Sequence, residues 1–291
     1  MTVDEILADR IEASLGKRPL EACALAGGST VDVLALTLRG GERVVAKWGP
    51  GKFQIEGRML SALAEQGSLP LPAVLSVADD LLVLDYVPSD NDQRGGLNGP
   101  GAKAQAHAAE CLAGLHGTAF PDFGFEIDTV IGRLHQPNPR SDDWIEFFAE
   151  HRLLHMARLA DQEGTLPQGM LARLDALAER LEKLIIRPKH PSLLHGDVWT
   201  GNLLVRGDRI AAFIDPAVYY GDREMDLAFA TLFNTVGKPF FDRYGEIAPL
   251  IPGFFEVRRD IYNIYPLLVH VRYWDVSYAT PIDATLRRHG L

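Results

Sequence analysis

The run His195-Gly196-Asp197-Val198-Trp199-Thr200-Gly201-Asn202 constrains the fold more than any other feature, because Asp215-Pro216-Ala217 follows it after one short apolar hairpin. Leu203 to Val205 and Ile210 to Ile214 are apolar or β-branched runs split by Arg206-Gly207-Asp208-Arg209, which reads as a hairpin turn. Pairing these strands brings the chain back on itself and sets Asn202 beside Asp215. An Asp followed five positions on by an Asn is the spacing at which phosphoryl transfer holds its hydroxyl-accepting base and a magnesium ligand. Magnesium prefers oxygen ligands, keeps several waters and is usually held by one or two protein groups plus phosphates, so Asn202 and Asp215 suffice. A lone Asp-Asn pair is also found on the surface beside an ordinary hairpin. His195-Gly196 before it and the strand ending at Asp215 favour chemistry, with Asp197 as the base.

The remaining bounds are broad. With 291 residues, 47% of them hydrophobic, the chain buries a sizeable core and is long enough for two lobes. A formal net charge of −10 and the lack of a basic run argue against nucleic-acid binding, where a cationic face supplies most of the affinity. Cys23 and Cys111 are isolated, fit a reducing cytoplasm, and each reads as a small buried hydrophobe. The acidic start Met1-Thr2-Val3-Asp4-Glu5 lacks the basic, then apolar, pattern of a signal peptide, and no uncharged apolar stretch reaches the roughly 18 residues of a spanning helix. A soluble, cytoplasmic protein without membrane partners is expected.

Periodicity divides the chain into a sheet-rich lobe over 1–88 and a helical lobe over 89–291, an α+β architecture. In the first lobe, Ile6, Leu7, Ile11 and Leu15 share one helical face over 3–16. Strands are expected over 22–26, 32–38, 42–48 and 81–87, with a helix over 53–66, giving a small sheet with one helix laid on it. Residues 89–102 are rich in Gly, Asn, Asp and Pro and read as the crossing between lobes. Helical spacing then recurs over 103–116, 143–162, 169–186, 224–235 and 256–276, and Asp143 with Glu146 three residues on is a cap signal for the second of these.

A phosphotransferase needs a glycine turn over the nucleotide phosphates, a strand cation to hold them and an acid to fix that cation. Gly27, Gly28 and Ser29 lie between two expected strands, where backbone N–H groups approach phosphate oxygens without a Cβ in the way, although a double glycine there is also a plain hairpin turn. Lys47 ends the strand Val44-Val45-Ala46-Lys47, and Glu56 on the next helix is its natural ion-pair partner. The apolar strand 81–87 is both a core strand and a hinge that offers Asp85 and Val87 to an adenine edge. ATP and Mg2+ are therefore the expected cofactors.

These residues resemble the fructosamine and ketosamine kinases, a family similar to aminoglycoside and choline kinases in its bilobal protein-kinase-like fold. The resemblance spans most of the chain. It includes Phe53-Gln54-Ile55-Glu56, Leu112-Ala113-Gly114-Leu115-His116, Phe123-Gly124-Phe125, Gln136-Pro137-Asn138, Trp144 with Phe147-Phe148, Arg152-Leu153, the run from Tyr219 to Ala228, and Tyr262 to His270. It implies ATP-dependent phosphorylation of the sugar 3-hydroxyl of a ketosamine, free or protein-bound, after which the adduct becomes unstable and releases its amine. It also implies Asp197 as base, Asn202 and Asp215 as metal ligands, and Lys47 with Glu56 as the phosphate clamp. Trp199 resembles the family's aromatic residue that packs on the sugar, or else packs under the loop. Gln136, Asn138 and Tyr219 are further expected substrate contacts, and His195 and Asp226 are expected to support the loop by packing and hydrogen bonding.

Three departures from that family bear on function. Gly-Gly-Ser-Thr lacks the loop cysteine of several eukaryotic relatives, so redox control there is not expected. Asp215-Pro216-Ala217 replaces D-F-G with no long activation segment after it, which argues against switching by phosphorylation. Val269-His270 stands where relatives often carry another polar pair. The rival readings are a kinase of an aminoglycoside or choline-like acceptor, and a nucleotide-binding pseudokinase. The presence of Lys47, Asp197, Asn202 and Asp215 together speaks against the second.

Overall fold

The computed structural model describes residues 3–25, 31–90 and 99–291. Its first lobe is an antiparallel sheet of order β1-β2-β3-β5-β4, formed by Pro19–Ala24, Asp32–Leu38, Arg43–Trp48, Val74–Val77 and Leu81–Asp85. Helix α1 (Glu5–Leu15) opens on Asp4, whose carboxylate accepts the N–H groups of Ile6 and Leu7, and closes at Gly16 with φ 69°. Helix α2 (Phe53–Gln66) follows β3.

The interior strand β5 explains why both expected helices pack on the sheet rather than the second alone. Leu81 and Val83 point into a cluster with Leu7, Ile11, Leu36 and Ala46, under α1. Leu82 and Leu84 point the other way, against Phe53 and Leu60 of α2. Both faces of the strand are apolar, so both must be covered, and α1 supplies the second cover. On its far side α2 sends Met59, Ala62 and Leu63 into the large core of the second lobe. The helix that carries Glu56 is thereby fixed between the two bodies.

The second lobe is mostly helical. Ala102–His116 matches the expected helix, and Asp143 caps Trp144–Phe148 by accepting from Ile145 and Glu146. That helix passes through a π turn at Ala149–Leu154 into His155–Gln162. The expected helix over 224–235 is Glu224–Phe229 only, because Phe233 and Asn234 adopt φ 56° and 54° and turn the chain. Lys238–Ile247 and Ala279–Arg288 are helices without a sequence expectation, and Arg259–Tyr273 is the long one that crosses the lobe. Three short hairpin-like pairs sit among them: β6 (Thr129–Ile131) with β7 (Leu134–Gln136), β8 (Ser192–Leu194) with β11 (Tyr219–Gly221), and β9 (Leu203–Arg206) with β10 (Arg209–Phe213). Cys111 is buried as expected, whereas Cys23 is exposed on the edge strand β1. No helix among the described residues is long and apolar enough to cross a membrane.

Candidate active site

Two antiparallel pairs build the site. Strand β8 runs into the loop from His195 to Asn202, which leads directly into β9, and β10 ends just before Asp215. The loop and the segment after Asp215 are tied back to back, since Ala217 N–H donates to His195 O at 2.7 Å and Ile214 N–H donates to Asn202 O at 3.0 Å. Gly196 is required at this crossing. Its φ is 82°, and a Cβ there would stand 2.1 Å from the Ala217 carbonyl oxygen.

Asp226, on the helix after β11, accepts the N–H groups of His195 and Gly196, each at 2.8 Å. Its Oδ2 also lies 3.2 Å from His116 Nε2, whose other ring nitrogen meets Tyr244 OH at 2.9 Å. A buried carboxylate thus organises the loop from beneath. His195 is fully buried, and its Nδ1 accepts the Asp197 N–H at 3.3 Å. Desolvation lowers its pKa despite the nearby carboxylates, which leaves a neutral ring that shapes the loop.

The reacting groups then converge. Asn202 Nδ2 donates to Asp197 Oδ2 at 2.8 Å and to Asp197 O at 2.9 Å, so the amide nitrogen is spent on Asp197. Asp215, at φ 53°, presents a carboxylate with 44% of its side-chain surface exposed. One of its oxygens is 2.6 Å from Lys47 Nζ, which also holds Glu56 at 2.6 Å. Desolvation works against the Lys47 charge, but Asp215 and Glu56 outweigh it and raise the pKa, so the ammonium persists. The Asp197 carboxyl is pushed up to about 8, by desolvation first and then by Asp215 and Asp226, against the Asn202 hydrogen bond that lowers it. A cation held by Asn202 and Asp215 opposes that shift.

The donor set suits magnesium: one amide oxygen and one half-exposed carboxylate, both hard. No group of three or more His, Cys, Asp or Glu residues able to cage a metal is found among the described residues.

Not every expected contact faces this cleft. Gln136, Asn138 and Tyr219 are 1%, 3% and 1% exposed and belong to the lobe's interior. Gln136 donates to Ala217 O at 3.1 Å and accepts from Tyr265 OH at 2.7 Å; Asn138 donates to Thr129 Oγ1 at 2.7 Å and accepts from Arg152 at 2.6 Å. Tyr219 lies under the Arg152 guanidinium, 3.9 Å from its ring centroid. These residues are satisfied by interior partners, and Gln136 braces the segment after Asp215, so they do not contact substrate here. Asp85 is likewise engaged: its N–H donates to Ala73 O at 3.0 Å and its carboxylate accepts the Ala73 N–H. Val87, past the strand end, bonds no described residue through its main chain. Gly27, Gly28 and Ser29 lie outside the described residues.

Trp199 is partly buried and folds over Gly201, where a Cβ would stand 2.4 Å from the indole. Its ring meets Phe233 edge-on at 6.1 Å, and Phe233 lies 4.9 Å from His270, which lies 4.9 Å from Tyr278. The left-handed turn at Phe233-Asn234 is pinned to the catalytic loop next door, because Thr235 Oγ1 accepts the Thr200 N–H at 2.9 Å. The sequence gives no local signal for this aromatic cluster, since its members come from separate elements.

The family model for fructosamine kinase matches residues 21–289. The chain belongs to the fructosamine kinase family. A chloroplastic protein-ribulosamine 3-kinase of Arabidopsis thaliana is 32% identical over 240 residues, covering 79% of this chain and 69% of that protein. A Thermobifida fusca structure assigned as a fructosamine-3-kinase superposes with a TM-score of 0.84 at 29% identity over 97% of both chains. The aminoglycoside phosphotransferase APH(4)-Ia superposes with a TM-score of 0.68 at 16% identity, covering 97% of this chain and 98% of that one, a likeness of fold alone. This fructosamine kinase family member is therefore a bilobal, protein-kinase-like phosphotransferase that uses ATP.

Proposed function

We propose that the protein phosphorylates the sugar 3-hydroxyl of ketosamines, fructosyl or ribulosyl adducts of amines, with ATP and magnesium, and so serves deglycation. The observation that carries this reading is the position of Asn202, whose amide nitrogen donates to the Asp197 carboxylate at 2.8 Å and lies 3.5 Å from the Asp215 carbonyl oxygen, so that one amide joins the proposed base to the second proposed metal ligand. The nucleotide lobe, ending near Pro88, offers Lys47, held by Glu56, to the phosphates, and Val87 to the adenine. Magnesium, when bound at Asn202 and Asp215, neutralises phosphate charge. Asp197 takes the proton of the sugar hydroxyl as its oxygen bonds to the γ-phosphorus and the bond to the ADP oxygen breaks. Positioning and charge account for the catalysis, and no covalent enzyme intermediate is required.

The acceptor side favours a ketosamine over an aminoglycoside. An aminoglycoside carries several ammonium groups and needs a dense acidic surface. The nearby acids Asp222 and Glu224 are instead buried and committed, Asp222 to Tyr262 OH at 2.7 Å and Glu224 to Arg258 at 2.6 and 2.8 Å. Trp199 supplies an aromatic wall for a sugar chain. Competing substrates at equal concentration decide the matter. A ketosamine should exceed an aminoglycoside in kcat/KM by orders of magnitude, and an aminoglycoside preference would overturn the acceptor assignment while leaving the phosphotransfer machinery intact.

A further inference from the structure

The β6–β7 hairpin spans the site from below to its rim. At its foot Gln136 braces the Ala217 carbonyl, and at its tip Gly132 and Arg133 pack on Tyr273. The fit at the tip is close. Gly132 has φ 57°, a Cβ there would stand 2.5 Å from Tyr273 OH, and the Arg133 N–H donates to that same hydroxyl. Tyr273 belongs to the helix Arg259–Tyr273, which also sends Tyr265 to Gln136 and His270 to the Phe233 ring beside Trp199. Burial raises the pKa values of Tyr265 and Tyr273, and the Asp197 carboxylate adds a smaller push in the same direction. The last turn of this helix thus joins the Arg133 tip, through Tyr273, to His270 and the Phe233 ring that packs on Trp199, two residues from Asp197.

Arg133 itself is exposed, with its guanidinium carbon 4.8 Å from the Tyr273 ring centroid. No carboxylate among the described residues pairs with it. Glu163, the carboxylate that feels its charge, is beyond ion-pair distance and is held by Arg272 through both oxygens at 2.5 and 2.8 Å. A guanidinium held over a phenol ring keeps N–H donors free of the ring, and these suit a carboxylate or phosphate in two-pronged geometry. We propose that Arg133 reads an anionic substituent of the ketosamine acceptor, either a carboxylate on the amine or a phosphate on the sugar. This rests on the ketosamine reading above and narrows it to amino-acid-derived or sugar-phosphate-derived adducts.

The test compares matched acceptors with ATP and magnesium. One arm sets fructosyl-β-alanine against fructosyl-propylamine; the other sets ribulosyl-propylamine 5-phosphate against its unphosphorylated form. The wild type should prefer the anionic member of one pair by about threefold to tenfold in kcat/KM, the range of a partly solvated charge pair. The arm that shows the preference names the source of the anion. Arg133→Gln should collapse that ratio, Arg133→Lys should keep part of it, and the preference should shrink as salt is added. Equal use of both members by the wild type, or a preference that survives Arg133→Gln, would overturn the inference alone. A wild type that phosphorylates no ketosamine would remove the proposed function and this inference with it.

Discussion

Gly196→Ala perturbs the crossing that holds Asp197 and Asp215 in register, and its cost can be worked from the geometry. The backbone strain of placing Ala at φ 82° is about 1 kcal/mol, part of which is offset by reduced freedom of the unfolded chain. The new Cβ stands 2.1 Å from the Ala217 carbonyl oxygen, so the loops must separate by on the order of 1 Å to restore an ordinary contact. That movement stretches the 2.7 Å bond from Ala217 N–H to His195 O, a loss of about 1 kcal/mol, and loosens the two bonds to the Asp226 carboxylate. Gly207→Ala is the matched control: it has φ 60° with nothing within 4 Å, so it carries the strain alone. We expect Gly196→Ala to lose about 3 kcal/mol in urea unfolding and Gly207→Ala about 1 kcal/mol or less. Turnover should fall by roughly 10²-fold in the first, because a displacement near 1 Å at the reacting groups is enough for that, and stay near wild type in the second. Equal stability losses in the two variants, with turnover retained in both, would refute the argument that Gly196 is fixed by the Ala217 contact.

Asp215→Asn removes the charged metal ligand and should weaken the magnesium-dependent part of nucleotide binding, which a magnesium titration of ATP affinity measures; unchanged metal dependence would remove Asp215 from the metal site. Gln136→Leu should lower stability by about 1–3 kcal/mol by stranding Ala217 O and Tyr265 OH, with little change in acceptor KM; a raised KM at unchanged stability would return Gln136 to the substrate surface. Burial, then the charge of Glu224, pushes the Asp222 carboxyl from 3.8 up to about 7. The folded chain then keeps this proton where the unfolded chain releases it, so the group's contribution to stability is full below pH about 4 and is lost as the pH rises through about 7. Melting curves across that window should show a steeper fall for the wild type than for Asp222→Asn, and parallel curves would contradict the assignment.

Much of the site was legible because it is local. Asp197, Asn202 and Asp215 lie within one loop and one hairpin, and Lys47 and Glu56 lie on consecutive elements whose periodicity is strong, so spacing alone brings them together. The helix Glu5–Leu15 was legible from its periodicity, but its placement over the sheet was harder to read, since that follows from β5 being apolar on both faces, a property that also suits a strand buried under a single helix and its own lobe. The three-residue strands β6, β7, β8 and β11 are too short to show alternation. Gln136, Asn138 and Tyr219 look like surface chemistry in sequence because their partners, Ala217, Tyr265 and Arg152, are distant along the chain or on another element. The turn at Phe233-Asn234 carries no glycine to announce its left-handed backbone, and the aromatic rim it positions emerges only from the packing of separate helices.

The central claim is that Asp197 accepts the proton of the acceptor hydroxyl while other residues hold the nucleotide. Asp197→Asn tests it most directly when ATP affinity and ketosamine-dependent turnover are measured on the same preparation. The account predicts an ATP affinity near wild type and a turnover lowered by roughly 10²- to 10⁴-fold. Wild-type turnover in that variant would contradict it.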